Sequence, residues 1–356
     1  MSRPLAPKAL LAPRLLPQHV PGLDALVRPL ELVERPTPVT EAGALGDRWK
    51  LGRLWIKRDD LSAPLYGGSK VRNLEFFLGH ALARGATGVV TMGPLGSHQV
   101  LATAVYGRRA GLATRALLTP QPDVRESGLN RKLLPALGME VIRCERFIDV
   151  PLGLLRARFG QLEGRAPYWI PPGSHHPIGV LGVIEGALEI ARAIEAGELP
   201  PIDDVVVPTG TCATAAGLAL GFAMAGLPVR VVAVRMVPML ITGPGKMRKL
   251  ARRTLALLRQ AGYARPVTLG EILWLDQFAG PGYGLPNALS DRAALDVAEL
   301  ADFRTETTYV AKTLALFQQR DLQGRRVLFW NTYSAVDPDP AAVQPEHGPH
   351  WAGAPA

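Results

Sequence analysis

A lysine set behind a glycine turn is the first residue in this chain with chemistry to offer, in Tyr66-Gly-Gly-Ser-Lys70-Val-Arg-Asn-Leu-Glu75. The two glycines strip the turn of side chains, and Val71, Leu74, Phe77 and Leu78 then recur at helical spacing. Lys70 therefore stands where a loop enters a helix. Unpaired backbone N–H groups and the positive helix end disfavour a protonated ammonium there, and a free amine is a nucleophile. Lysine is not the default cation, since the chain has eight against thirty-two arginines. The same pattern also fits a surface lysine in a helix's first turn, because Gly-Gly is common punctuation.

Two further loops lie between an apolar run and a helical pattern. Pro208-Thr-Gly-Thr-Cys-Ala-Thr214 has small residues at Gly210, Cys212 and Ala213 and hydroxyls at Thr209, Thr211 and Thr214. Backbone N–H groups at a helix start can cradle a phosphate there, and an ordinary tight turn is the other reading. The loop has neither the Gly-Lys-Ser/Thr of a Walker motif nor three spaced glycines. In Gly93-Pro-Leu-Gly-Ser97-His98-Gln99, Ser97 and its neighbours suit a carboxylate, while Ser97 as a plain N-cap competes. His98 either bonds a ligand or fills the helix start. No acidic partner or Gly-x-Ser-x-Gly elbow supports a Ser-His hydrolase. Tyr283, flanked by glycines, has little structural reason to be in its loop, whereas Tyr309 also fits a core ring with a bonded hydroxyl. His175 and His176 lack companions at metal spacing, so no metal is expected. Cys212 reads as a small loop residue.

The elements that position these loops alternate. Short apolar runs at 54–60, 88–93, 114–119, 140–144, 168–170, 204–207, 229–234, 272–275 and 326–330 are separated by helical patterns. Such alternation predicts an α/β fold of two doubly wound units with twisted, mostly parallel sheets. The run at 54–60 precedes the first block, so the second unit takes a strand from each end of the chain. The division read from the sequence is an extended arm over 1–30, a large unit over 31–72 and 182–335, a small unit over 73–181, and a Pro-rich tail over 336–356.

The length of 356 residues suits two such units. Its formal charge of +9 is spread without runs or aromatic interleaving, so nucleic acid is not expected, and no apolar run is long enough for a bilayer. Two cysteines give no disulfide framework, which suits the cytoplasm. Prolines at 4, 7, 13, 17 and 21 break a signal-peptide core, leaving an arm or an organelle-targeting segment.

Taken in order, the Lys70 stretch, Gly96-Ser97-His98-Gln99, the Thr209 to Thr214 loop and Gly282-Tyr283-Gly284-Leu285-Pro286-Asn287 resemble the family of 1-aminocyclopropane-1-carboxylate deaminase and D-cysteine desulfhydrase. The resemblance implies a tryptophan synthase β-like fold and pyridoxal 5′-phosphate as cofactor. It implies that Lys70 forms the Schiff base and that Thr209 to Thr214 hold the phosphate. Ser97 and Gln99 would bind the substrate carboxylate, with Ser97 in proton transfer as well, and His98 would touch both cofactor and substrate. Tyr283 and Tyr309 would line the substrate side, and Thr332 would sit near the pyridine nitrogen. His98 stands where the family has an asparagine at the cofactor's ring hydroxyl, and Val310 where the deaminase has a glutamate. Asn331-Thr-Tyr-Ser334 replaces a His-Thr-Gly-Gly pattern. The implied function is a lyase or deaminase acting on a small amino acid by β-elimination, as a homodimer. β-Replacement and an inactive ligand-binding relative are the alternatives.

Overall fold

The computed structural model describes residues 12–319 and 322–346. Among the described residues ten strands form two sheets: β1 (Val39–Glu41), β2 (Arg53–Lys57), β3 (Gly88–Pro94), β4 (Ala113–Thr119), β5 (Glu140–Arg143), β6 (Tyr168–Trp169), β7 (Asp204–Thr209), β8 (Arg230–Arg235), β9 (Ile272–Leu275) and β10 (Arg326–Trp330). The larger sheet runs β1-β2-β10-β7-β8-β9 and the smaller β5-β4-β3-β6. Every pairing is parallel except β1 with β2. The last strand, β10, lies inside the larger sheet, with Leu328 opposite both Trp55 and Val205. The unbroken apolar run of β7 is buried at every position, the signature of a strand covered on both faces.

The helices Ser69–Ala83 and Pro177–Glu195 pack closely against each other. Gly182 permits this approach, since a Cβ there would meet the carbonyl oxygen of Arg72 at 1.9 Å. Arg72 is buried between Asp59 and Glu189, both at 2.8 Å, and Lys57 reaches Glu189 at 2.7 Å. Burial alone would raise the Glu189 carboxyl, but Arg72 and Lys57 hold it down to about 2. The boundaries expected at 72/73 and 181/182 fall inside this helix pair. The chain thus passes between the two sheets along packed helices, with no linker at those positions.

Residues 12–30 depart from the expected extended arm. Leu16–His19 and Leu23–Leu26 are single helical turns, and Leu16, Val20 and Leu23 are fully buried. Pro17 starts the first turn, where its missing N–H costs nothing, and Glu185 accepts from the N–H groups of Leu15 and Leu16. Residues 336–346 have no helix or strand; they lie against the body through buried Val343 and the ion pair of Glu346 with Arg109. The ends of the expected arm and tail, 1–11 and 347–356, lie outside the described residues.

Candidate active site

A cavity of about 850 Å³ opens at the carboxyl ends of β3, β4, β7 and β10, between the two sheets. In parallel sheets this is where strand-to-helix loops converge. Lys70, Ser97, His98, Gln99, the run Thr209 to Thr214, Tyr283, Tyr309 and Thr332 all line it.

Gly68 precedes Lys70 with φ of 94°, a conformation that favours glycine, and a Cβ there would meet the Thr332 carbonyl oxygen at 2.8 Å. The turn is pinned by Ser69 N–H, which donates to that oxygen at 3.3 Å. Burial lowers the Lys70 ammonium to about 8. The expectation from sequence attributed this weakening to the helix end; removal from water is the cause found.

The loop after β7 leads into the helix Ala213–Met224, through Cys212 at φ of 75°. The N–H groups of Gly210, Thr211, Cys212, Ala213 and Thr214 donate to no backbone or side-chain acceptor among the described residues. Five such donors at the positive end of a helix make a receptacle for an anion. The hydroxyls contribute less than expected. Thr211 donates to Gly173 O at 2.7 Å and Thr209 to Val207 O at 3.3 Å, which leaves Thr214 free. Cys212 is buried with Sγ 2.9 Å from Thr242 Oγ1, a structural placement.

Ser97 caps the helix His98–Arg109, accepting from Val100 N–H at 3.4 Å. The N–H groups of His98 and Gln99 remain unengaged among the described residues, so a second anion-receptive helix start faces the cavity. The Gln99 side chain is already in use: its amide donates to Thr91 Oγ1 at 2.8 Å and Pro171 O at 2.9 Å, and accepts from Ser174 at 3.0 Å. What Gln99 has left for a ligand is its backbone N–H. His98 Nδ1 pairs with the Tyr66 hydroxyl at 2.7 Å, and burial with the nearby Lys70 charge lowers its pKa to about 4. The imidazole is therefore neutral at physiological pH.

Tyr309 donates to the Tyr283 hydroxyl at 3.2 Å, the rings edge to face. Burial raises Tyr309 to about 12 and Tyr283 further, so both keep their protons and act as donors. Two supports were absent from the sequence reading. Lys312 clamps the Tyr283 loop by donating to Ala279 O and Gly282 O, each at 2.7 Å. Glu306 accepts from Thr308, Tyr309 and Val310 N–H, with burial raising its carboxyl to about 6. One of only eight lysines inside the apolar run Val310-Ala-Lys-Thr-Leu314 was the available signal for the first. Among the described residues no three His, Cys, Asp or Glu side chains converge as a metal site, and no helix is long and apolar enough to cross a membrane.

A weakened amine and two anion-receptive helix starts line one cavity at the strand ends of a two-sheet parallel fold, an arrangement suited to a pyridoxal-phosphate-dependent enzyme. The family model for pyridoxal-phosphate dependent enzymes matches residues 30–332. Over 320 residues the chain is 35% identical to nocardicin C-9′ epimerase of Nocardia uniformis subsp. tsuyamanensis, covering 88% of this chain and 94% of that protein. It is 33% identical over 318 residues to the D-cysteine desulfhydrase of Salmonella newport, covering 86% and 94%. A solved ACC deaminase homologue superposes with a TM-score of 0.74 at 25% identity, over 88% of this chain and 94% of that one. The chain belongs to the pyridoxal-phosphate-dependent enzyme family, in the group of 1-aminocyclopropane-1-carboxylate deaminase and D-cysteine desulfhydrase, and has the fold of that group. The site fits the cofactor: a half-buried lysine at the cavity wall whose amine is weakened by removal from water, and five unengaged N–H donors for a phosphate.

Proposed function

We propose that the protein is an amino-acid lyase or deaminase that removes the Cα proton and expels a β-substituent. The observation that carries this is that, among the described residues, no Asp or Glu stands in the cavity walls around Lys70. When bound, pyridoxal phosphate supplies the conjugated ring that takes up the electrons of a bond breaking at Cα. With no carboxylate to keep the ring nitrogen protonated, the walls favour quick loss of a leaving group over a long-lived carbanion. Thr332 is the neutral group assigned there.

Lys70 would hold the cofactor's aldehyde end, and its weakened amine would serve as the base that takes the proton from Cα. The N–H groups of Gly210 to Thr214 hold the phosphate. Ser97 and the N–H groups of His98 and Gln99 hold the substrate carboxylate, with Ser97 placed to pass a proton. Tyr283, which accepts from Tyr309, keeps its own O–H to donate from the substrate side, Tyr309 lines that side behind it, and His98 lies beside Lys70 as a neutral partner. Residues 31–72 and 182–335 carry the phosphate loop, and 73–181 the carboxylate loop. A homodimer in the cytoplasm belongs to the same proposal, on family resemblance.

Release of pyruvate and ammonia from D- or L-cysteine or a β-substituted analogue, without added thiol, is the expected result, with Lys70→Ala abolishing it. A Lys70→Ala variant of full activity would overturn the assignment. The epimerase relative favours a second reading, in which the Cα proton is returned from the opposite face. Solvent deuterium entering Cα without pyruvate release would select that reading.

A further inference from the structure

Beyond the anchoring groups, the cavity changes character. Among the described residues its ionisable side chains are Lys70, His98, Cys212, Tyr283 and Tyr309, and no arginine or carboxylate lines it. Nothing in its walls would pair with a charge at the far end of a substrate. The outer walls come from both sheets: Phe147, Val150 and Pro151 after β5, and Val237, Pro238 and Ile241 after β8.

Two of these stand open to water at a cost. Phe147 is 72% exposed and Ile241 51%. Exposed apolar groups gathered at the mouth of a cavity mark a surface that a ligand covers. The volume of about 850 Å³ is also near the top of the roughly 300–1,000 Å³ span of sites that enclose whole drug-sized ligands. A vitamin and a three-carbon amino acid leave much of it unfilled.

We infer that the substrate is an amino acid whose β-substituent is bulky, uncharged and apolar, seated between these two walls, in preference to one bearing a bare thiol or hydroxyl. This rests on the amino-acid reading of the same site and commits it to a substrate class. Burying each added methylene between the walls should tighten binding about fourfold.

The test uses holoenzyme and amino acids without a leaving group: alanine, 2-aminobutyrate, norvaline, norleucine and phenylalanine, with glutamate and lysine, as both enantiomers. Dissociation constants are read from the change in the cofactor's visible absorbance. The expected result is a fall of about fourfold per methylene from alanine to norleucine, with glutamate and lysine at least tenfold weaker than norleucine. Phe147→Ser and Ile241→Ser, both at exposed positions where folding is not at stake, should each flatten the slope. A flat series, or glutamate or lysine binding as tightly as norleucine, overturns the inference while leaving the lyase reading in place. If no amino acid perturbs the absorbance, the amino-acid reading falls and this one with it.

Discussion

Lys70 is weakened by its surroundings before any cofactor arrives, and the direction of that effect has a measurable consequence. Burial lowers its amine from 10.5 to about 8. Between those values the unfolded apoprotein holds a proton that the folded one has released. Apoprotein stability should therefore rise as pH increases from about 8 to about 10.5. The fraction of reactive amine climbs through the lower value, so the rate at which apoprotein takes up pyridoxal phosphate should rise with a midpoint near pH 8. A midpoint near 10.5, followed by the cofactor's visible absorbance, would show instead a solvated amine. The position of Lys70 was legible because two glycines and a helical pattern bracket it. The engagement of Thr211 and Gln99 was not, because their partners Gly173 and Ser174 lie 38 and 75 residues along the chain. Only the folded backbone brings those partners near.

At the level of elements, helix starts were readable and helix neighbours were not. Ser69–Ala83 begins at the glycine turn, and His98–Arg109 begins after Ser97, both where residue chemistry alone puts them. The edge strand β1 has three residues and no apolar run, so no periodicity announced it. The charged knot behind Lys70 was equally silent, since no local spacing links Lys57, Asp59 and Arg72 to Glu189, more than a hundred residues further on. It joins the end of β2, the helix that carries Lys70 and the helix Pro177–Glu195. Removing Glu189 leaves two buried cations without that partner. Glu189→Ala should cost about 3–5 kcal/mol in denaturant unfolding. A loss below about 1 kcal/mol would mean that the cluster relaxes or admits water. Because this carboxyl is held down to about 2, its contribution is present above about pH 4.5 and fades as pH falls toward 2.

Over the whole molecule, strand and helix alternation was enough for the α/β class, because parallel sheets write themselves as buried runs separated by helices. The N-terminal segment was misread because Pro17 and Pro21 were taken as breakers, whereas Pro17 opens a helical turn. Light scattering of holoenzyme should give twice the 38.2 kDa of the chain; a monomer mass would overturn the dimer proposal. The position of β10 bears on how the protein is made. It is threaded into the interior of the larger sheet, between β2 and β7, although it follows all the other described strands in chain order. A nascent chain still short of Trp330 leaves β2 and β7 without their common neighbour. Thr332, which pins the turn of Lys70, has not yet emerged either. Capture of the vitamin therefore waits until the chain has emerged past Thr332 and β10 has entered the sheet.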